Sequence, residues 1–148
     1  MSPAAFLDTN VPIYAAGRPH SLKEPCAQIL LLVAEYPQLF VTDTEVLQEL
    51  LHRYLALRLW PQGREAFRAF AELMRGRVET VQMADVERAA DLADAYPDMS
   101  GRDLLHAAII DRLKVYYIIS ADTDFDRLVY VERLDPAQVV DWRHIIVS

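Results

Sequence analysis

Val115-Tyr116-Tyr117-Ile118-Ile119-Ser120-Ala121-Asp122 is an apolar run closed by an acid, and its reading decides the fold. Continuous apolar runs of this length are the mark of strands buried on both faces, as in a parallel sheet. Two other segments repeat the pattern: Ala4-Ala5-Phe6-Leu7 before Asp8, and Leu39-Phe40-Val41-Thr42 before Asp43. In open α/β sheets the functional crevice lies beyond the carboxyl ends of the strands, so these acids gather at one rim. Glu49 and Asp103 fall early in predicted helices, which start at that same rim. Clustered carboxylates repel one another, and the ordinary reason to assemble them is a hard divalent cation.

The rest of the chain fits an alternating pattern. Asp8-Thr9-Asn10 supplies capping residues and Pro12 sits where a first helical turn tolerates it, giving a short helix to about Ala16. After the break at Gly17-Arg18-Pro19, a helix runs from about Ser21 to Glu35 with Cys26, Ile29, Leu30 and Val33 inward. Thr42-Asp43-Thr44-Glu45 fits a capping box, and Val46, Leu47, Leu50, Leu51, Tyr54 and Leu55 give one apolar stripe on a helix to about Leu59. A further helix covers about Arg64 to Met74, a short strand Val78 to Met83, and a helix 84–95, closed by Pro97. Ser100-Gly101-Arg102-Asp103 opens another helix to about Leu113, and Val139 to Val147 reads as a final strand. The expected architecture is a three-layer α/β/α sandwich around a central parallel sheet, one domain over residues 1–148.

Composition bounds the function. With 53% hydrophobic residues and 4 Gly in 148 residues, the chain is a packed globular protein. No apolar stretch approaches the roughly 18 residues of a membrane helix, and the N-terminus lacks a secretory layout, so a cytoplasmic protein is expected, with no membrane partner. Cys26, the single cysteine, excludes an internal disulfide and reads as a core thiol. The net charge of −7 disfavours polyanion binding on its face, yet Leu51 to Arg77 holds six arginines (Arg53, Arg58, Arg64, Arg68, Arg75, Arg77) against Glu65 and Glu72. Thirteen of the fifteen basic residues are Arg, a bias that suits bidentate contacts with phosphate or carboxylate; a solvated helix face is the plainer reading.

Phe6-Leu7-Asp8-Thr9-Asn10, the helix bearing Glu49, Ser100-Gly101-Arg102-Asp103-Leu104-Leu105-His106-Ala107-Ala108 and Ser120-Ala121-Asp122-Thr123-Asp124-Phe125 together resemble a PIN-domain ribonuclease, most of all the VapC-type toxins of toxin–antitoxin pairs. The resemblance runs from residue 4 to about 130, and its specificity lies in the order and spacing of the motifs. It implies Asp8, Glu49, Asp103 and Asp122 as the catalytic and metal-binding acids, with Asp124 or Asp126 auxiliary. Thr9, Asn10 and Ser120 are supporting residues; Ser120 stands where the family commonly has Thr. The implied activity is Mg²⁺- or Mn²⁺-dependent endoribonucleolytic hydrolysis, with an RNA substrate, a small antitoxin partner and a homodimer or higher homo-oligomer.

Each residue has a plainer reading. Asp8 could serve as an N-cap, Asp103 could complete a capping-box-like pattern after Ser100, and Asp122, Asp124 and Asp126 crowd a turn where Asp is common. Glu49 lies about 60° from Val46 at about 100° per residue, as expected of a group leaving the core for a cleft. Glu45 competes with it, but a capping role accounts for Glu45. His106, three residues after Asp103, reads as a hydrogen-bonded partner rather than a catalyst. Tyr116, Tyr117 and Trp60 read as core. Alternatives of other kinds are a housekeeping RNA-processing PIN nuclease, an inert PIN-like scaffold, and a receiver-like phosphoacceptor domain; the last would want a lysine just beyond a late strand, where Lys114 instead precedes one.

Overall fold

The computed structural model describes residues 2–147. Its strands are β1 (Ala5–Leu7), β2 (Phe40–Asp43), β3 (Val78–Glu79), β4 (Tyr117–Ile119) and β5 (Glu132–Leu134), all parallel and ordered β3-β2-β1-β4-β5. The helices are α1 (Asn10–Ala16), α2 (Lys23–Glu35), α3 (Thr44–Ala56), α4 (Trp60–Leu73), α5 (Met83–Ala95), α6 (Gly101–Leu113) and α7 (Val139–Ile146). From β1 the chain builds outward through β2 to β3, then crosses back by α5 and α6 to place β4 on the other side of β1. That reversal makes the carboxyl ends of β1 and β4 the topological switch point, where α/β sheets open a crevice.

Burial explains the strands. Phe6, Leu7, Phe40, Ile118 and Ile119 are fully buried, each contributing about 1.5–3 kcal/mol by leaving water. The helices close over them with Cys26, Ile29 and Val33 from α2, Val46 and Leu50 from α3, Phe70 from α4, and Ala107, Ala108 and Ile110 from α6. Cys26 is indeed a core thiol, and burial pushes it up to about 12. Gly63 marks the crossing of α3 and α4: a Cβ there would lie 2.1 Å from the Tyr54 ring. Among the described residues no helix is long and apolar enough to cross a membrane.

Several expectations are corrected. Val139 to Val147 is a helix, not a strand: Val139, Trp142 and Ile146 are buried at helical spacing while Val140 is 74% exposed. The fifth strand is Glu132–Leu134, a polar edge segment. α3 ends at Ala56 rather than Leu59, because Arg58 takes a left-handed φ of 57° and α4 restarts at Trp60 with Pro61 in its first turn. The helix N-cap after β2 is Asp43, whose Oδ1 accepts from the Val46 N–H at 2.9 Å, so no capping box involves Glu45. Tyr116 is not core; it is 57% exposed at the start of the segment leading into β4.

Candidate metal centre and its acidic pocket

The register of β1 against β4 pairs Leu7 with Ile119, so Asp8 and Ser120 emerge side by side one residue later. Ser120 Oγ donates to Asp8 Oδ2 at 2.7 Å, and Asn10 Nδ2 reaches Asp8 Oδ2 at 3.3 Å and Ser120 Oγ at 3.1 Å. Asn10 Oδ1 in turn accepts from the Ala121 N–H, and Ser120 Oγ from the Asp122 N–H. The other Asp8 oxygen accepts from the Thr9 N–H at 2.8 Å. This clip joins two strand ends and fixes the Asp8 rotamer, so the carboxylate is held by its neighbours rather than spent on a helix N-cap, a position taken by Thr9.

The acids expected from sequence, Asp8, Glu49, Asp103, Asp122 and Asp124, line one cavity of about 290 Å³ together with Thr9, Asn10, Ser100, Arg53 and Arg102. Within it, Asp103, Asp122 and Asp124 each offer a carboxylate oxygen, all within 4.8 Å of one another. Asp122 and Asp124 are positioned by a single 3-10 turn over Thr123–Arg127, in which the Asp124 N–H donates to Asp122 Oδ1 at 2.9 Å. Asp126 faces elsewhere, paired with Arg133 at 2.9 Å, and is not an auxiliary acid of this cluster. Asp103 sits in the first turn of α6, where the Ser100 hydroxyl caps its N–H at 3.2 Å; its own carboxyl makes no bond back to Ser100. Glu49 stands outside the three-acid cluster, with Arg53 Nη2 at 3.8 Å and Arg102 Nε at 3.9 Å from its two oxygens.

Burial lifts Asp103 to about 7, helped by the neighbouring charges of Asp122 and Asp8 and by the hydrogen bond that protonated Asp103 makes to Asp122. The cluster is thus short of positive charge. Oxygen donors in a half-buried cavity, repelling one another and with Arg127 reaching Asp124 alone, at 3.7 Å, fit a small hard divalent ion. The Thr9 hydroxyl, buried without a hydrogen-bond partner among the described residues, adds a further oxygen beside Asp8.

Sequence reasoning underweighted the layer beneath the pocket. His106 is fully buried; its Nδ1 lies 2.7 Å from Asp43 Oδ2 and its Nε2 3.9 Å from Asp8 Oδ1, with no closer partner among the described residues. Burial opposes charge on the ring, but Asp43, Asp8 and Asp103 overcome it and raise His106 to about 9. These carboxylates favour the charged ring, an internal counter-charge between Asp43 and Asp8. Asp43, the third strand-end acid, is therefore outside the cavity as the His106 partner. Glu45 lies among the charges of His106, Asp43, Glu49 and Arg102, with its own carboxyl raised by burial. The signal for both was present in the strand-end position of Asp43 and the three-residue spacing of Asp103 and His106.

The PIN domain family model matches residues 5–129. Ribonuclease VapC23 of Mycobacterium tuberculosis is 38% identical over 120 residues, covering 79% of this chain and 91% of that protein. Ribonuclease VapC13 of the same organism is 34% identical over 132 residues, covering 87% and 98%. Among solved structures, VapBC2 from Rickettsia felis, bound to a DNA fragment from its promoter, superposes with a TM-score of 0.70 at 17% identity, covering 88% of this chain and 97% of that one. Mycobacterium tuberculosis VapC20, described as a sarcin-ricin loop cleaving toxin, superposes at 0.67 with 21% identity, covering 86% and 97%. A parallel five-stranded sheet with strand-end acids, a family match across most of the chain and relatives above one-third identity lead to one assignment: the chain belongs to the PIN-domain family, in its VapC branch.

Proposed function

We propose that this protein is a metal-dependent endoribonuclease that hydrolyses RNA phosphodiester bonds, and that it is the toxin of a toxin–antitoxin pair. The observation that carries the reading is the gathering of Asp103, Asp122 and Asp124 oxygens within 4.8 Å of one another, in the cavity that also holds Asp8. The names of the VapC relatives, which are ribonucleases, support the chemistry; a structural neighbour solved as a toxin–antitoxin complex from Klebsiella pneumoniae, with a TM-score of 0.62 at 18% identity, supports the pairing.

Asp8, Asp103, Asp122 and Asp124 would hold Mg²⁺ or Mn²⁺, which when bound lowers the pKa of a water and neutralises charge developing on the phosphate. Ser120 and Asn10 keep Asp8 in one rotamer, so its oxygen is in place before substrate arrives. Protonated His106, anchored on Asp43, offsets the charge of Asp8 from below. Glu49, on the α3 wall and apart from the three-acid cluster, orients the attacking water. Asp103 must release its proton for the site to form, and the acids repel RNA until a cation is bound, so metal binding and substrate binding are coupled.

The antitoxin docks through an apolar segment into the groove among α1, α2 and α4, formed by Pro12, Ala15, Leu30, Ala66, Phe70 and Leu73. Exposed Leu55, Leu57 and Leu59 extend that apolar surface, and the arginines of α4 suit acidic flanks on the partner. Self-association belongs to the same reading and is checked by light scattering on the isolated chain. The enzyme acts in the cytoplasm, where its RNA is.

The test is cleavage of end-labelled total RNA in Mg²⁺ or Mn²⁺ by native protein and by an identically prepared Asp8→Asn variant. Discrete fragments from native protein alone are expected. Fragments from both would expose a contaminating nuclease, and absence of both cleavage and Mn²⁺ binding would leave an inert scaffold.

A further inference from the structure

Glu49 is a wall shared by two cavities. On one side is the acidic pocket; on the other is a cavity of about 410 Å³ lined by Glu49, His52, Arg53, Ala56, Leu57 and Arg102. Arg53 and Arg102 border both spaces and approach opposite oxygens of Glu49, at 3.8 and 3.9 Å. Their side chains are 47% and 52% exposed, and neither guanidinium makes a hydrogen bond among the described residues. Arg112 and Arg133 differ: their donors are committed to carboxylates and backbone carbonyls. Two loosely held guanidiniums beside a cation-seeking pocket have donors to give at small cost, because exposed ion pairs of this length contribute little. Their forked N–H groups match a phosphodiester oxygen pair, and they lie well within a Debye length of the acids.

Resting on the nuclease reading above, we propose that Arg53 and Arg102 form a phosphate subsite for single-stranded RNA, holding the backbone linkage next to the one that is cut. Glu49 keeps both guanidiniums over the second cavity while RNA is absent. The scissile phosphate is then placed in the acidic pocket by the grip on its neighbour, which resolves how a chain of net charge −7 attracts a polyanion to a cluster of carboxylates. The relevant positive charge is local and adjoins the site.

The experiment measures binding of a fluorescein-labelled twelve-nucleotide single-stranded RNA against KCl concentration, with Mn²⁺ raised until the site of every variant is saturated, as followed by parallel Mn²⁺ titration. All proteins carry Asp103→Asn so that the RNA stays intact, alone or with Arg53→Ala, Arg102→Ala or Arg53→Lys added. Each alanine change is expected to weaken binding about tenfold, the loss of one charge-assisted phosphate contact. Each should also flatten the slope of log K against log salt by about 0.7, the single-strand value per phosphate contact. Arg53→Lys should keep the slope and lose part of the affinity, because lysine keeps the charge without the fork. A methylphosphonate at the linkage beside the scissile one should weaken the Asp103→Asn parent but add nothing once Arg53 is alanine. Unchanged affinity and slope in both alanine variants would overturn the subsite, whatever the cleavage assay gives. So would a change confined to Mn²⁺ affinity, which would make the arginines counter-ions of Glu49 only. Failure of native protein to cut RNA in the parallel assay would instead count against the nuclease reading, so the two failures are distinguishable.

Discussion

Asp85 and Asp103 occupy the same place in two helices packed side by side, the third residue of α5 and of α6, yet they are treated in opposite ways. Asp85 accepts the Gln82 N–H at 2.9 Å, completing a capping box, and Arg112 grips its two oxygens at 2.8 and 3.0 Å while also holding Glu79. The Arg112 hydrogen bonds hold the Asp85 carboxyl below the usual range, and its own guanidinium is held charged. Asp103 has no such partner, and burial with two acidic neighbours pushes it up to about 7. Asp85 serves the fold and is matched with an arginine. At the crevice Asp103 and Asp122 are left without a cationic side chain among the described residues, a sacrifice of stability that suits a cation supplied from outside.

Exchanging each acid for its amide breaks the comparison most sharply. Asp103→Asn is expected to lower RNA cleavage on the order of 10²–10³-fold, as for loss of one preorganised charge-stabilising group, while leaving the metal-free protein as stable or more so. Asp85→Asn should do the reverse: cost about 2–3 kcal/mol in urea unfolding, short of a fully buried broken pair because Arg112 keeps Glu79, with cleavage retained. Activity and denaturation measured on both variants check the crossing pattern; parallel losses in the two would contradict it.

Ser120→Ala comes next. It takes the shortest hydrogen bond from Asp8 and should weaken Mn²⁺ binding about 10–100-fold without unfolding the protein, as measured by metal titration. Equal Mn²⁺ affinity would show that Asp8 needs no clip.

The pH dependence of the metal-free protein sharpens the contrast further. Asp103 and His106 both hold their protons more tightly in the fold than in the free chain, at about 7 against 3.8 and about 9 against 6.5. Each therefore contributes stability at low pH that is lost as pH rises through its folded value. Asp85 has the opposite sign, contributing above its ordinary 3.8 and losing that contribution as pH falls. The thermal midpoint without metal should decline from pH 5 to 9, and saturating Mn²⁺ should remove the part lost between pH 5 and 7, where the ion replaces the Asp103 proton. A midpoint rising over that range without metal would contradict the account. The smallest effect concerns Cys26, which at about 12 should stay unreactive to a thiol-specific disulfide reagent at pH 8 until the chain unfolds.

The elements most legible in the sequence were those whose local pattern and tertiary role agree. β1, β2 and β4 are apolar runs buried on both faces, and their terminal acids fall at the crevice because parallel strands end on one side. The misread elements are those where composition and environment pull apart. α7 carries Val139, Val140, Ile145 and Ile146, residues that favour strands, but only helical spacing buries Val139, Trp142 and Ile146 together. β5 hid because Glu132 and Arg133 dress an edge strand in charge. In the site, Asp8, Asp103 and Asp122 were readable from position, whereas the place of Asp43 was not. A strand-end acid can face the cavity or turn inward, and the choice fell to His106, a partner 63 residues away. Capping patterns misled in the same way: the Ser100 to Asp103 pattern forms only its serine half, since the Asp103 carboxyl serves the pocket.

The most direct measurement is Mn²⁺ binding followed by electron paramagnetic resonance at pH 7.5, on native protein and Asp103→Asn. A saturable Mn²⁺ site in native protein whose affinity falls at least tenfold in the variant, with the fold of the variant intact, is the expected result. Equal binding by both proteins, or none by the native one, would contradict the claim that these clustered carboxylates exist to hold a divalent cation.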